Sequence, residues 1–201
     1  LTLTASNGDT LALQGASLTA GISTATPIVI AAAAPFNDPL CEDSPADGAF
    51  TGAIVVCARG VNARIEKSFN VQRRGAVGMI LYNPALQWTA TDNHFVPTVH
   101  LENDAGASLL AFLAAHSGET ATFTAGQPEK VQGDVMAAFS SRGGPGQTLG
   151  ISKPDVTAPG VQVLAGHTPT PDSITGGPAG QRFQAIAGTS MSAPHVAGAA
   201  A

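Results

Sequence analysis

Apolar positions along the chain fall into short blocks whose spacing changes from segment to segment. The opening "LTLTASNGDTLALQG" alternates apolar and polar residues on either side of Asn7-Gly8, which predicts a hairpin. "PIVIAAA" and "GAIVVCARG" are continuous apolar runs of strand length, bounded by Pro and Gly. In "VNARIEKSFNVQRRGA", Val61, Ile65 and Phe69 recur every fourth residue. That spacing predicts a helix with these side chains on one face and Gly75 ending it. "VGMILYN" predicts a further buried strand, and strand, helix, strand in this order implies a right-handed crossover and a partly parallel sheet. "VPTVHL" predicts another strand, with Pro97 at its start, where a missing N–H costs least. "NDAGASLLAFLAAHSG" predicts a second helix, capped by Asn103 or Asp104, with Leu109, Leu110 and Leu113 as its stripe. "ETATFTA" predicts a returning strand, Thr outward and Ala or Phe inward.

From Gln127 to Gly133 the chain turns polar and the periodicity lapses, which marks a boundary. Beyond it, "DVMAAFS", "VQVLAG" and "RFQAIAG" predict three brief strands separated by long Gly/Pro-rich stretches. They are expected to pair poorly with one another and to complete a sheet supplied by other polypeptide. Residues from about 134 onward should therefore present apolar faces with no partner in this chain.

Composition narrows the class. With 44% apolar and only 11% charged residues, the chain is globular rather than disordered. A net charge of −5 argues against general nucleic-acid binding, which needs a basic stripe. Arg59, Arg64, Lys67, Arg73 and Arg74 do cluster, but Glu66 interrupts them and they read as a solvated helix face. No apolar run is long enough to predict a membrane span. The start has neither a basic n-region nor an apolar h-region, so it is not read as a signal peptide. The final "SMSAPHVAGAAA" reads as a helix without a C-cap, and both ends suggest a fragment. Cys41 and Cys57 fit no zinc pattern. Two buried free thiols are one reading. A disulfide worth about 3 kcal/mol is the preferred one, and with it an oxidising, extracellular compartment.

The chemistry concentrates in "GTSMSAPHVAG", Gly188 to Gly198. Gly188-Thr189 ends a strand and Ser190 begins an Ala-rich helix, with Pro194 placed in its first turn. A hydroxyl there lies beside unpaired N–H groups and the positive end of the helix dipole, donors able to hold an oxyanion. The plainer alternative is a Ser N-cap. A GxSxG elbow is excluded because Ser192 stands two residues after Ser190. This segment resembles the nucleophile segment of the subtilisin-like serine proteases (subtilases). "FSSRGGPGQTLGISKPDVTAPGVQVLA", Phe139 to Ala165, resembles the segment preceding it in that family. The region Thr26 to Gly126 is similar to the protease-associated (PA) domain that some subtilases carry as an insertion, on "GAIVVCARG", "RRGAVGMILYN" and "VPTVHL".

The resemblance implies a mixed α+β chain in four parts. Residues 1–25 are a lead-in hairpin, either the end of a preceding catalytic segment or an edge of the PA domain. Residues 26–126 form the PA domain, a β-sandwich or open barrel with two flanking helices. Residues 127–133 are a linker, and 134–201 are strands and the serine helix of an incomplete subtilisin-like α/β catalytic domain. The resemblance also implies Ser190 as nucleophile, its N–H an oxyanion donor. The family's catalytic His and Asp lie in HGT-type and D-S/T-G-type motifs upstream of the insertion, and neither motif occurs here. His195, five residues from Ser190, would be turned about 140° away on a helix. His94, His100, His116 and His167 sit in no matching motif. Asp155 is by resemblance a turn residue. None of Asn7, Asn37, Asn62, Asn70, Asn83, Asn93 or Asn103 matches the oxyanion Asn.

The parent protein is thus expected to be a secreted serine endopeptidase acting on peptides, and this chain alone to be inactive without its missing N-terminal half. Alternatives are a non-catalytic interaction module or a degenerate subtilase. Asp92 and His94 in "TDNHF" are two adjacent metal-ligand types without a third, read as a polar loop; no metal is expected. No cofactor is expected either; a structural calcium in the parent is compatible with the resemblance but not indicated here. PA domains are expected to guide substrates or contact other proteins, and Trp88 is either such a contact residue or a core residue.

Overall fold

The apolar runs at 54–58 and 78–82 become strands buried on both faces, whereas the run at 27–33 is only partly buried. The computed structural model describes residues 1–42, 46–144, 150–151 and 153–201. Strands β1 (Thr2–Thr4) and β2 (Thr10–Ala12) form the opening hairpin, with Gly8 at its turn in the left-handed region (φ 92°). β3 (Ile22–Ile30), β4 (Ile54–Ala58), β5 (Gly78–Tyr82) and β6 (Thr98–Leu101) are parallel, and β7 (Thr120–Phe123) runs antiparallel to both β3 and β1. The order is β2-β1-β7-β3-β4-β5-β6. Beyond β2 the chain reaches across to β6, where Ala16 and His100 exchange two backbone hydrogen bonds of 2.9 Å. Among the described residues these strands therefore form one sheet that rolls up like an open barrel, its two ends linked by that bridge.

β4 is buried along its whole length. Ile54 and Val56 point into a core shared with Ile80, Leu101, Phe123 and with Leu109 and Leu113 of helix α2 (Asn103–Ala115). Val55 and Cys57 face the other way, onto Met79, Leu81, Phe50 and Val71 of helix α1 (Arg64–Arg73). In β7, Ala121 and Phe123 point inward and the threonines outward. Cys41 and Cys57 are joined by a disulfide, both nearly without solvent exposure. Replacing both by alanine is expected to lower the unfolding free energy by about 3 kcal/mol, read by denaturant titration against the unreduced protein.

Three expectations about the helices change. α1 starts only at Arg64, so Val61 precedes it and is 91% exposed, while Ile65 and Phe69 are half-buried. Its buried face is Lys67, Ser68 and Val71. Phe69 instead covers the loop ahead of β6, edge-on to Phe95 with centroids 5.1 Å apart. The basic cluster is not a solvated face either. Lys67 is fully buried, its ammonium donating to the Leu40 carbonyl (2.6 Å) and to Asn62 Oδ1, and burial lowers its pKa to about 8. A long stem fills the core while two acceptors satisfy the head. At α2 the cap position is Glu102, without a side-chain capping bond, and Asn103 is already helical; the Asp104 carboxylate accepts from Ala105 N–H (2.7 Å). Gly75 (φ 89°) does end α1; a Cβ there would lie 2.7 Å from Thr51 Oγ1.

After β7 the chain is exposed and irregular to about residue 144, and "DVMAAFS" forms no strand. "VQVLAG" and "RFQAIAG" do pair with one another, as β8 (Val163–Gly166) and β9 (Phe183–Ile186), antiparallel. The intervening loop folds back on itself: His167 N–H donates to Arg182 O (2.8 Å) and Gly180 N–H to Pro169 O (2.7 Å). Because loop-closure cost grows slowly with length, those bonds are enough to bring the strands together. Helix α3 (Thr189–Ala200) follows and buries none of its residues.

Candidate active site

Ser190 is the second residue of α3, and Gly188 occupies the cap position. The N-cap role is therefore taken by a residue without a side chain, and the Ser190 hydroxyl is left exposed with no hydrogen-bond partner among the described residues. Met191 N–H turns back to the Gly188 carbonyl (3.0 Å), while Ser190 N–H has no acceptor among the described residues. The turn is fixed from beneath by "APG": Gly188 N–H donates to Gly160 O at 2.7 Å. Gly160 lies so close that a Cβ would come 2.1 Å from Ser192 Oγ and 2.9 Å from Gly188 O, which explains a glycine there. Pro194 lies in the second turn, not the first. Its missing N–H deprives the Ser190 carbonyl of its intrahelical donor. Residues 145–149 and Ser152, within the Phe139–Ala165 segment, lie outside the described residues.

No imidazole approaches Ser190. His195 is exposed and hydrogen-bonds its own helix through Nδ1, 2.8 Å from Met191 O. His167 Nε2 donates to Gly176 O (2.8 Å), and His116 lies between Phe112 O (2.8 Å) and Asp9 (3.0 Å). Asp155 is exposed and paired with Lys153. His94 and His100 are buried in the barrel region. Next to α3 opens a groove of about 1450 Å³ whose walls include Met136, Phe139, Val156, Val161, Thr189 and Val196. Pockets for small ligands run to about 1,000 Å³, so its size suits a polypeptide segment. Val135, Met136, Val156, Val161, Leu164 and Phe183 are each at least half exposed, an apolar surface left uncovered by the described residues.

The second polar centre is the loop Asn83–Phe95, and sequence reasoning found only its Asp92, His94 and Trp88. Arg64 clamps Asp92 with two hydrogen bonds, 2.6 and 2.9 Å. Burial pushes the Asp92 carboxyl up, but those bonds and the guanidinium charge hold it below its ordinary value. Asp92 is thus occupied by a cation of the protein itself. His94 Nε2 is 3.9 Å from Asp92, its Nδ1 has no partner among the described residues, and burial lowers its pKa to about 4. His100 Nδ1 lies 3.1 Å from Ala90 N and 2.9 Å from Ala90 O, and its Nε2 lies 2.8 Å from Asn83 Oδ1; burial lowers its pKa to about 4 as well. Trp88 is half-buried. It lies 5.2 and 5.5 Å from the Arg59 and Arg64 guanidiniums and 5.3 Å from the Phe139 ring. The periodicity of α1 concealed these roles because Arg64 acts outward, across a loop.

Comparison with known proteins adds family context. The sequence profile "Subtilase family" (Peptidase S8) matches residues 46–201. Subtilisin-like protease SBT1.3 of Arabidopsis thaliana is 38% identical over 156 residues, 75% of this chain and 20% of that protein. Minor extracellular protease Vpr of Bacillus subtilis (strain 168) is 37% identical over 154 residues, 75% and 18% respectively. The chain thus spans about a fifth of the length of these relatives. A solved zinc aminopeptidase from Bacillus subtilis superposes with a TM-score of 0.43 at 21% identity, over 65% of this chain and 34% of that one, too distant to inform the fold. With the profile matched over well more than half of its length, this chain belongs to the subtilase family.

Proposed function

We propose that residues 1–201 are the serine-bearing portion of a secreted subtilisin-like endopeptidase that cleaves peptide bonds through an acyl-enzyme on Ser190. Residues 26–126 read as an inserted PA domain that guides substrate or contacts protein, 127–133 as a linker, and 134–201 as part of the catalytic domain. The observation that carries this reading is Ser190 itself: an exposed, unengaged hydroxyl at the N-terminus of α3, within the motif Gly188–Gly198. A base draws the proton from Oγ as Oγ attacks the substrate carbonyl carbon. The carbonyl oxygen becomes an oxyanion, held by Ser190 N–H and the helix dipole. Collapse expels the amine, which takes the proton, and water then releases the acyl group by the same route.

The base, its carboxylate and the second oxyanion donor come from polypeptide outside residues 1–201. In support, the five imidazoles are all turned elsewhere, the groove and the exposed apolar side chains lack a partner among the described residues, and the relatives are about four times the length of this chain. The Cys41–Cys57 disulfide suits an extracellular location. A fluorophosphonate probe, which labels only activated serines, tests the reading. It is expected to leave residues 1–201 unlabelled on their own and to modify Ser190 once the rest of the catalytic polypeptide is present. Stoichiometric labelling of the chain alone would overturn it.

A further inference from the structure

The loop Asn83–Phe95 has no helix or strand, yet it is pinned at almost every other residue. Asn83 Nδ2 donates to Gln87 O (3.0 Å), Arg59 to Trp88 O (2.6 Å), and Ala90 N–H to His100 Nδ1 (3.1 Å). Arg64 clamps Asp92; Phe95 N–H donates to Ser68 Oγ (3.1 Å), and Gln72 Nε2 to Phe95 O (2.8 Å). Burying charged and polar groups in this way is weak evidence of a gain in stability. What such a network does provide is position.

The same loop touches the β8–β9 hairpin, which leads into α3, at separate points. Gln162, the residue before β8, donates through Nε2 to Thr91 Oγ1 at 2.8 Å. Asn93 Nδ2 donates to Phe183 O, at the start of β9, at 2.8 Å. In the register of the pair, Val163 faces Ile186 and Gly166 faces Phe183. The two bonds therefore hold opposite ends of the hairpin, on different strands, separated by roughly 13 Å along the strands. One contact would let the hairpin pivot; two fix its direction. Gly177 (φ 84°) packs so tightly on the loop that a Cβ would lie 2.8 Å from Asn93 O. The Trp88 ring meets Phe139 in the groove wall. β9 runs straight into Gly188 and Ser190.

We infer that the loop Asn83–Phe95 is a brace through which the barrel sets the position of Ser190, with Thr91 and Asn93 as positioning residues for its reaction. The inference rests on the reading of Ser190 as the nucleophile. Attack requires the hydroxyl within about 3–3.5 Å of the carbonyl carbon, and a misplacement of 1 Å costs about a hundredfold in rate. Neither Thr91 nor Asn93 lines the groove beside α3, so loosening the brace should act on kcat and spare KM.

The test uses the complete protease and a short chromogenic peptide substrate. The double variant Thr91→Ala/Asn93→Asp removes both bonds at nearly constant shape. It is expected to lower kcat between about tenfold and a hundredfold with KM within about twofold, while Thr91→Ser, which keeps the hydroxyl acceptor, stays close to wild type. An unchanged kcat in the double variant overturns the brace. So does a loss in Thr91→Ser as large as in Thr91→Ala, since that would report general damage to the loop. Ser190→Ala, measured alongside, separates the two levels: full activity there defeats the nucleophile reading, whereas an inactive Ser190→Ala with a fully active double variant defeats only the brace.

Discussion

Ser190→Ala in the complete protease is expected to lower kcat by about 10⁶-fold, with KM little changed. The figure is carried over from subtilisin, a member of the same family, where removal of the catalytic serine costs about that much. The alanine keeps the helix, because Ser190 Oγ makes no bond among the described residues and Gly188 holds the cap position. The loss therefore falls on chemistry: without Oγ no acyl-enzyme forms, and only positioning and the oxyanion donors remain, worth 10³–10⁴-fold over water. Steady-state kinetics with circular dichroism as a folding control measure it. A variant that retains even a tenth of the activity would rule out Ser190 as nucleophile.

A second large effect is expected in acid. His94 and His100 have pKa values lowered from 6.5 to about 4 by burial, so both are neutral in the native protein near pH 7. Above 6.5 neither state of the chain binds the extra protons, and stability is at its full value. As pH falls from 6.5 towards 4 the unfolded chain protonates first, and stability declines; below 4 the whole contribution has gone. At pH 5 the loss is about 2 kcal/mol for each histidine, or about 4 kcal/mol for the pair. Denaturant titration at pH 7 and pH 5 reads it directly. His100→Gln should lower the pH dependence by half, whatever it does to stability at pH 7. Equal midpoints for the native sequence at the two pH values would show that these imidazoles are not buried as described.

The residues involved explain what could be read in advance. "GAIVVCARG" and "VGMILYN" announce buried strands because burial on both faces demands an unbroken apolar run, and their short length with glycine at the ends favours strand over helix. The Asn7-Gly8 turn and Gly75 are legible for a similar reason, since few residues tolerate their backbone. Ser190 is singled out in the sequence by the company it keeps, two long segments in order, and the structure puts it in the first turn of α3. Lys67 was not: its side chain is buried by acceptors at Leu40 and Asn62, which no spacing in α1 reveals. The pairing of β8 with β9 was missed for a comparable cause, because the bonds that fold the loop between them are backbone bonds, blind to side-chain type.

The sequence by itself determined most of the strands and helices, though not a strand at "DVMAAFS" or the start of α1, and with them that Ser190 stands at a helix start and that no catalytic motif for a histidine accompanies it. These follow from periodicity and from local backbone preference, which act over a few residues. Only the tertiary structure decided that the sheet rolls up until Ala16 meets His100, that Arg64 is spent on Asp92, and that Thr91 and Asn93 reach the β8–β9 hairpin. Each of those is a hydrogen bond between residues distant along the chain. Such contacts depend on where packing brings two backbones, and packing is a property of the whole fold.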